Sequence, residues 1–245
     1  VSYENTIDSH LHYDFTFNDA SDFLRNEAKF NRAFDGPPLL QANADARYAP
    51  GAPNPVIQTP GRSSTDFAAS FDRQGMLLAT PSDATLDIDG ETNAGITVCA
   101  WVYPSMQLNT LFTTLVSFGS ALSLHYYAYF FYFSFSLNGV DTRASIPTNG
   151  NLDFATWTHV CSSSAAGGTT KLYKNGLRIG ASSAPAAVLQ PPLAVDAPLS
   201  IGASSDLVVY NQTGNDRGFG GSIDSVKLWG RQLSDAEIND VFASG

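Results

Sequence analysis

Carboxylates that alternate along a strand lie on one face, and Asp87-Ile88-Asp89-Gly90-Glu91 has that spacing. Retaining glycoside hydrolysis needs two such groups about 5–5.5 Å apart across a cleft. Thr92-Asn93-Ala94-Gly95 reads as a turn directly after them, so the acids fall at a strand end rather than mid-cleft, and catalysis is not expected. His10 and His12 alternate likewise, but two imidazoles with no third donor nearby make a poor metal site. They read as solvent-facing positions on the first strand. The chain has two cysteines, Cys99 and Cys161, and two buried free thiols or one disulfide are both open readings. No Gly-x-Ser-x-Gly or phosphate loop occurs. Asn211-Gln212-Thr213 is the one glycosylation sequon, in an expected loop.

Aromatic side chains are the other chemical resource, and they concentrate in Leu122–Leu137. Read as a single strand, one parity holds Leu124, Tyr126, Phe130 and Tyr132. The other holds Tyr127, Tyr129, Phe131, Phe133 and Phe135. A sandwich strand with one wet face should not be aromatic on both. Either the chain's own Pro-rich stretch Gly36–Ser64 covers the second face, or Tyr127, Tyr129, Phe131 and Phe133 form a surface for a glycan, an extracellular protein or a neighbouring copy.

The elements that would position these groups are short strands. Ile96–Tyr103 runs apolar until Pro104 stops it, and Thr156–Ser163, Leu111–Phe118 and Leu199–Ile201 resemble it. Asn138-Gly139 and Asn175-Gly176 signal hairpins. Gly36–Ser64 is rich in Pro, Ala and Asn and reads as a long extended loop, wrapped on the surface or paired with a neighbour. The last strand contains Ile223, Val226, Leu228 and Trp229, a spacing that breaks strict alternation and implies a bulge near Asp224. Ser234 and Glu237 form a capping box for a short helix whose apolar stripe is Leu233, Ile238, Val241 and Phe242. Many short strands, tight turns and almost no helix define an all-β chain: an antiparallel two-sheet sandwich with a short C-terminal helix. No composition shift divides residues 1–245, so one domain is expected.

Composition narrows the partners. With 43% hydrophobic residues the chain can bury a core. Its net charge of −10 and its few lysines (Lys29, Lys171, Lys174 and Lys227) exclude a nucleic-acid partner. No apolar run is long enough for a membrane helix. The start at Val1, without Met or a charged leader, suggests a processed or excised chain.

Five segments taken together resemble the concanavalin A-like jelly roll in its laminin G-like and pentraxin-like branch. They are Ile96–Pro104, Thr156–Ser163, Leu172–Gly176, Pro198–Gly202 and Phe219–Ile238. The pentraxin likeness rests on Cys99 in Thr-Val-Cys-Ala-Trp and on His159-Val160-Cys161, with Ser164 where that signature has Trp. The resemblance implies a Cys99–Cys161 bond stitching the sandwich together, hence an oxidising compartment and a secreted or cell-surface location. It also implies calcium sites. Of the pentraxin double-calcium ligands only Asp206 matches, whereas a structural calcium of the laminin G-like type would use Asp19, Asp22 and Asp224. The function it implies is a non-enzymatic, lectin-like recognition or adhesion module for glycan or protein. The alternatives are a structural subunit of an extracellular multimeric or filamentous assembly and, further off, a glycoside hydrolase.

Overall fold

The computed structural model describes residues 11–18, 40–43, 57–63, 66–72, 75–79, 85–86, 94–105, 112–118, 122–127, 131–137, 140–146, 154–165, 168–182, 193–194, 199–203 and 217–245. In chain order the strands begin with β1 (Leu11–Phe15), β2 (Leu40–Asn43), β3 (Ile57–Pro60), β4 (Phe67–Asp72), β5 (Gly75–Ala79) and β6 (Thr85–Leu86). Next come β7 (Ala94–Pro104), β8 (Phe112–Phe118), β9 (Leu122–Tyr127), β10 (Phe131–Leu137), β11 (Val140–Ile146) and β12 (Thr158–Ala165). The chain ends with β13 (Thr170–Lys174), β14 (Leu177–Ser182), β15 (Leu193–Ala194), β16 (Leu199–Ile201), β17 (Arg217–Gly218), β18 (Gly220–Arg231) and the helix α1 (Asp235–Ser244).

These strands build the expected sandwich. The first sheet runs β14-β13-β12-β7-β18-β4-β3, and the second runs β11-β10-β9-β8-β16-β5-β2. Strand β18 is the long axis of the first sheet. β7 lies along one side of it, while β4 and then β1 pair with successive halves of the other. Gly202, at φ +87°, follows β16 at the point where Phe71 of β4 crosses the interlayer space, and a Cβ there would run into the Phe71 ring.

Phe71 therefore faces inward, and register carries that direction across the sheet. Ala69 pairs with Ile223, and Ile223 with Val102. Ile96, Val98, Ala100 and Val102 thus form the inner face of β7, joined by Val160, Leu172, Val226 and Leu228, all buried. Leu77, Val116, Leu124 and Ile201 are buried in the opposing sheet. Burial of such side chains contributes roughly 1.5–3 kcal/mol each before conformational entropy is subtracted.

Several local expectations are met. Asp224 pairs with Trp101 and Lys227 with Cys99, so one residue too many is inserted in β18. Ser225 takes the left-handed conformation there, at φ +49°. That insertion returns Val226 to the inner face. Asn175 and Gly176, both at positive φ, turn β13 into β14.

Other expectations change. Leu122–Leu137 is not one strand but the antiparallel pair β9–β10, with Phe133 opposite Leu124, so counting parity straight through the run does not define two faces. The Pro-rich stretch 36–64 contributes β2 and β3, which pair with β5 and β4 respectively. Pro60 ends its strand, a position where a missing N–H does no harm.

Candidate functional site

The outward side chains of β7 and β12 form a ladder. Antiparallel register sets Thr97 opposite Ser163, Cys99 opposite Cys161 and Trp101 opposite His159. One step further, Tyr103 meets Trp157 with ring centroids 5.5 Å apart. Helix α1 roofs the first three rungs.

The roof is held by hydrogen bonds at its near end. The Thr97 hydroxyl donates to the Arg231 carbonyl at 2.9 Å and accepts from the Leu233 N–H at 2.9 Å. The Ser163 hydroxyl donates to the Leu233 carbonyl at 2.9 Å. These bonds fix the turn into α1, whose cap is the expected one. Ser234 accepts from the Glu237 N–H, and the Glu237 carboxylate accepts from the Ser234 N–H at 2.8 Å. Burial opposes ionisation of Glu237, but hydrogen bonds from Arg231 and Ser234 outweigh it and hold the carboxyl below its ordinary range. The Tyr173 hydroxyl donates to Asp235 at 2.8 Å and lowers the pKa of that carboxyl.

At the second rung Cys99 and Cys161 form a disulfide, as the resemblance implies. It joins neighbouring strands of one sheet rather than the two layers. The bond is fully buried in a cluster with Tyr173, Trp229, Leu233, Ile238 and Val241.

At the third rung the Trp101 ring lies 5.1 Å from His159 and 5.5 Å from Phe242. The His159 backbone is pinned to the turn: its N–H donates to the Asn175 side-chain oxygen at 2.9 Å. Burial, with Arg62 and Lys227 nearby, pushes the imidazole down to about 3, so it is neutral at physiological pH. The Arg62 guanidinium lies 4.6 Å above the Trp101 ring, a cation–π arrangement. It reaches Asp224 at 2.9 Å and Asp66 at 3.1 Å, and donates to the Gly245 backbone oxygen. Asp224 is buried, and burial together with the Asp66 charge lifts its carboxyl to about 7 despite Arg62. The opposing influences of burial and ion pairing are expected for a buried pair.

The fourth rung lies beyond the helix end. Tyr103 and Trp157 are half-buried, while Phe154, at 51% exposure, and Thr156 just before Trp157 in the chain are exposed. Ala155, also exposed, holds the left-handed φ of +56°, and its N–H donates to the Pro104 carbonyl at 2.9 Å. A half-buried aromatic pair of this kind can offer a ring to a flat apolar face, such as that of a sugar ring.

Of the expected site residues, Cys99 and Cys161 are brought together. Asp224 is buried and ion-paired with Arg62 at 2.9 Å. Tyr127, Phe131 and Phe133 lie in β9 and β10. Asp19, Asp22, Asp206, Asn211, Tyr129 and the acids Asp87, Asp89 and Glu91 lie outside the described residues. Sequence reading missed Arg62, Trp101, Tyr103, Phe154 and Trp157. The aromatics were signalled by alternation within the two strands already identified: Trp101 and Tyr103 in one, Trp157 and His159 in the other.

A family model, the concanavalin A-like lectin/glucanase superfamily, matches residues 78–239. The chain belongs to that superfamily. Compared by sequence with curated proteins, it has no match. Among solved structures, domain 4 of AbnA, a GH43 extracellular arabinanase from Geobacillus stearothermophilus in complex with arabinotriose, is similar at 17% identity. Its TM-score is 0.59, and the likeness covers 95% of this chain and 98% of that one. The binding domain of botulinum neurotoxin DC in complex with SialylT gives 13% identity, a TM-score of 0.63, and coverage of 98% of this chain and 52% of that one. The same toxin domain also matches in complex with rat synaptotagmin II, at 13% identity, a TM-score of 0.62 and the same coverage. The chain thus spans about half the length of the toxin binding domains. At these identities the likeness is one of fold. Among the described residues no helix is long and apolar enough to cross a membrane.

Proposed function

We propose that this superfamily member is a non-enzymatic extracellular recognition module that takes a glycan on the Tyr103–Trp157 platform. The observation that carries the reading is the half-buried Tyr103–Trp157 pair, with exposed Phe154 three residues before Trp157 in the chain. Solved structures of similar fold holding arabinotriose or SialylT support the ligand class. The buried disulfide supports a secreted or surface location.

Catalysis is disfavoured by the one strongly raised carboxyl among the described residues. Asp224 is poised near neutrality, yet its side chain has no accessible surface and is bonded to Arg62. It cannot reach a leaving-group oxygen.

The test is binding to an array of plant-type and sialylated oligosaccharides, with Trp157→Ala as the control variant. The expected result is saturable binding to at least one glycan class, weakened roughly tenfold by loss of one stacking ring, as about 1–1.5 kcal/mol of ring contact implies. Absence of any glycan binding, or an unchanged affinity in Trp157→Ala with its fold intact, would overturn the assignment.

A further inference from the structure

The aromatic pair belongs to a row of side chains that continues across the first sheet. Trp157 meets Tyr103 between β12 and β7. Tyr103 is paired with Ser222 of β18, and Ser222 with Ser70 of β4. One position along, Val102, Ile223 and Ala69 are paired in the same register and are fully buried on the inner face. Alternation therefore turns Tyr103, Ser222 and Ser70 to the outer face. Trp157, Tyr103, Ser222 and Ser70 are each only partly buried. Two rings are thus followed by two hydroxyls along one line that crosses the strands. Among the described residues, neither serine hydroxyl takes part in a hydrogen bond. Building on the glycan reading of the Tyr103–Trp157 platform, we propose that the ligand is a neutral oligosaccharide of at least two rings laid across β12, β7, β18 and β4, one ring stacked on the aromatic pair and a following ring hydrogen-bonded to Ser222 and Ser70.

The order of groups matches a sugar chain, in which an apolar ring face stacks and a rim of hydroxyls bonds. A serine hydroxyl both donates and accepts, so it can pair with a sugar hydroxyl in either sense. The length follows from the sheet. Three strand spacings of about 4.8 Å separate β12 from β4, roughly 14 Å in all. A single ring stacked at the aromatic end does not also reach Ser70. Neutrality follows from the charges at hand. The row itself carries none. Arg62 lies over Trp101, two residues from Tyr103 on the same face of β7, and its guanidinium is already engaged by Asp224 at 2.9 Å and Asp66 at 3.1 Å. An acidic sugar on this row would give up hydration without gaining an ion pair.

The experiment titrates the whole chain with neutral sugars of one, two and three rings, in glucose, xylose, galactose and arabinose series, and with sialyllactose. For at least one neutral series the affinity should rise at least about tenfold from one ring to three, and sialyllactose should bind more weakly than the three-ring member. Loss of two hydrogen bonds in the Ser70→Ala, Ser222→Ala double variant should weaken the three-ring member about tenfold and so flatten the gain with length. Circular dichroism checks that the double variant is folded; if it is not, the length series of the wild type decides. The proposal is overturned if affinity does not rise with length, if the folded double variant binds the three-ring member as tightly as the wild type, or if sialyllactose binds best. In each of these cases a weakened Trp157→Ala leaves the platform itself standing. Failure of every sugar to bind, or indifference to Trp157→Ala, removes the platform and this ligand together.

Discussion

Two side chains on the third rung respond to acid in opposite directions. His159 has a folded pKa of about 3 against 6.5 when free. Its contribution is complete above pH 6.5 and is lost as pH falls towards 3, because the unfolded chain then takes up a proton that the folded chain refuses. Asp224 has a folded value of about 7 against 3.8. Its contribution is complete below pH 3.8 and is lost as pH rises through 7. Between about pH 4 and 6.5 each site contributes a slope near 1.4 kcal/mol per pH unit, of opposite sign. Relative to the wild type, Asp224→Asn should therefore lose stability on acidification through this window. His159→Gln should gain it. Urea unfolding at a series of pH values reads both slopes, and curves parallel to the wild type would remove these two groups as the cause. Arg62 is the pivot of this rung, and nothing local announces it: it lies 162 residues from Asp224 in sequence. A sequence shows an acid in a bulge; it does not show which distant cation the fold delivers to it.

At the level of elements, what was legible was what is encoded within a few residues. The Ser234–Glu237 box, the Asn175-Gly176 turn and the phase slip at Val226 each rest on spacings of one to three positions. Each is found where local chemistry requires it. The break between β9 and β10 was not legible, because the sequence Ala128-Tyr129-Phe130 between them contains none of the Gly, Pro or Asn by which a strand end is usually recognised. Strands β2 and β3 were hidden by the prolines around them, although edge strands tolerate proline at their ends. The roof of the ladder depends on both a local and a distant contact, and two substitutions separate them. Ser234→Ala removes the cap and should cost about 1 kcal/mol. Thr97→Val keeps the shape but leaves the buried Leu233 N–H without its acceptor, which should cost about 1–3 kcal/mol. Denaturant midpoints at unchanged m-value give the two numbers. If Thr97→Val proves neutral, the Thr97 hydroxyl is not what fixes the entry to α1.

For the whole molecule, the position of the sulfur bridge decides what it stabilises. The two layers are already joined by the chain: β4 passes to β5, and β7 to β8, from one sheet to the other. The bridge instead ties β7 to β12 beneath α1. Closing a loop across a sequence separation of 62 contributes about 4 kcal/mol by restricting the unfolded chain. A Cys99→Ala, Cys161→Ala double variant should therefore keep its β-sheet circular dichroism and lose about 4 kcal/mol of global stability. The local effect should be uneven. The alanines leave space directly under Ile238 and Val241, so amides of α1 should lose hydrogen-exchange protection before those of β8 and β9. Equal loss of protection in both sheets would instead mean that the bridge holds the layers together, contrary to its place within one sheet.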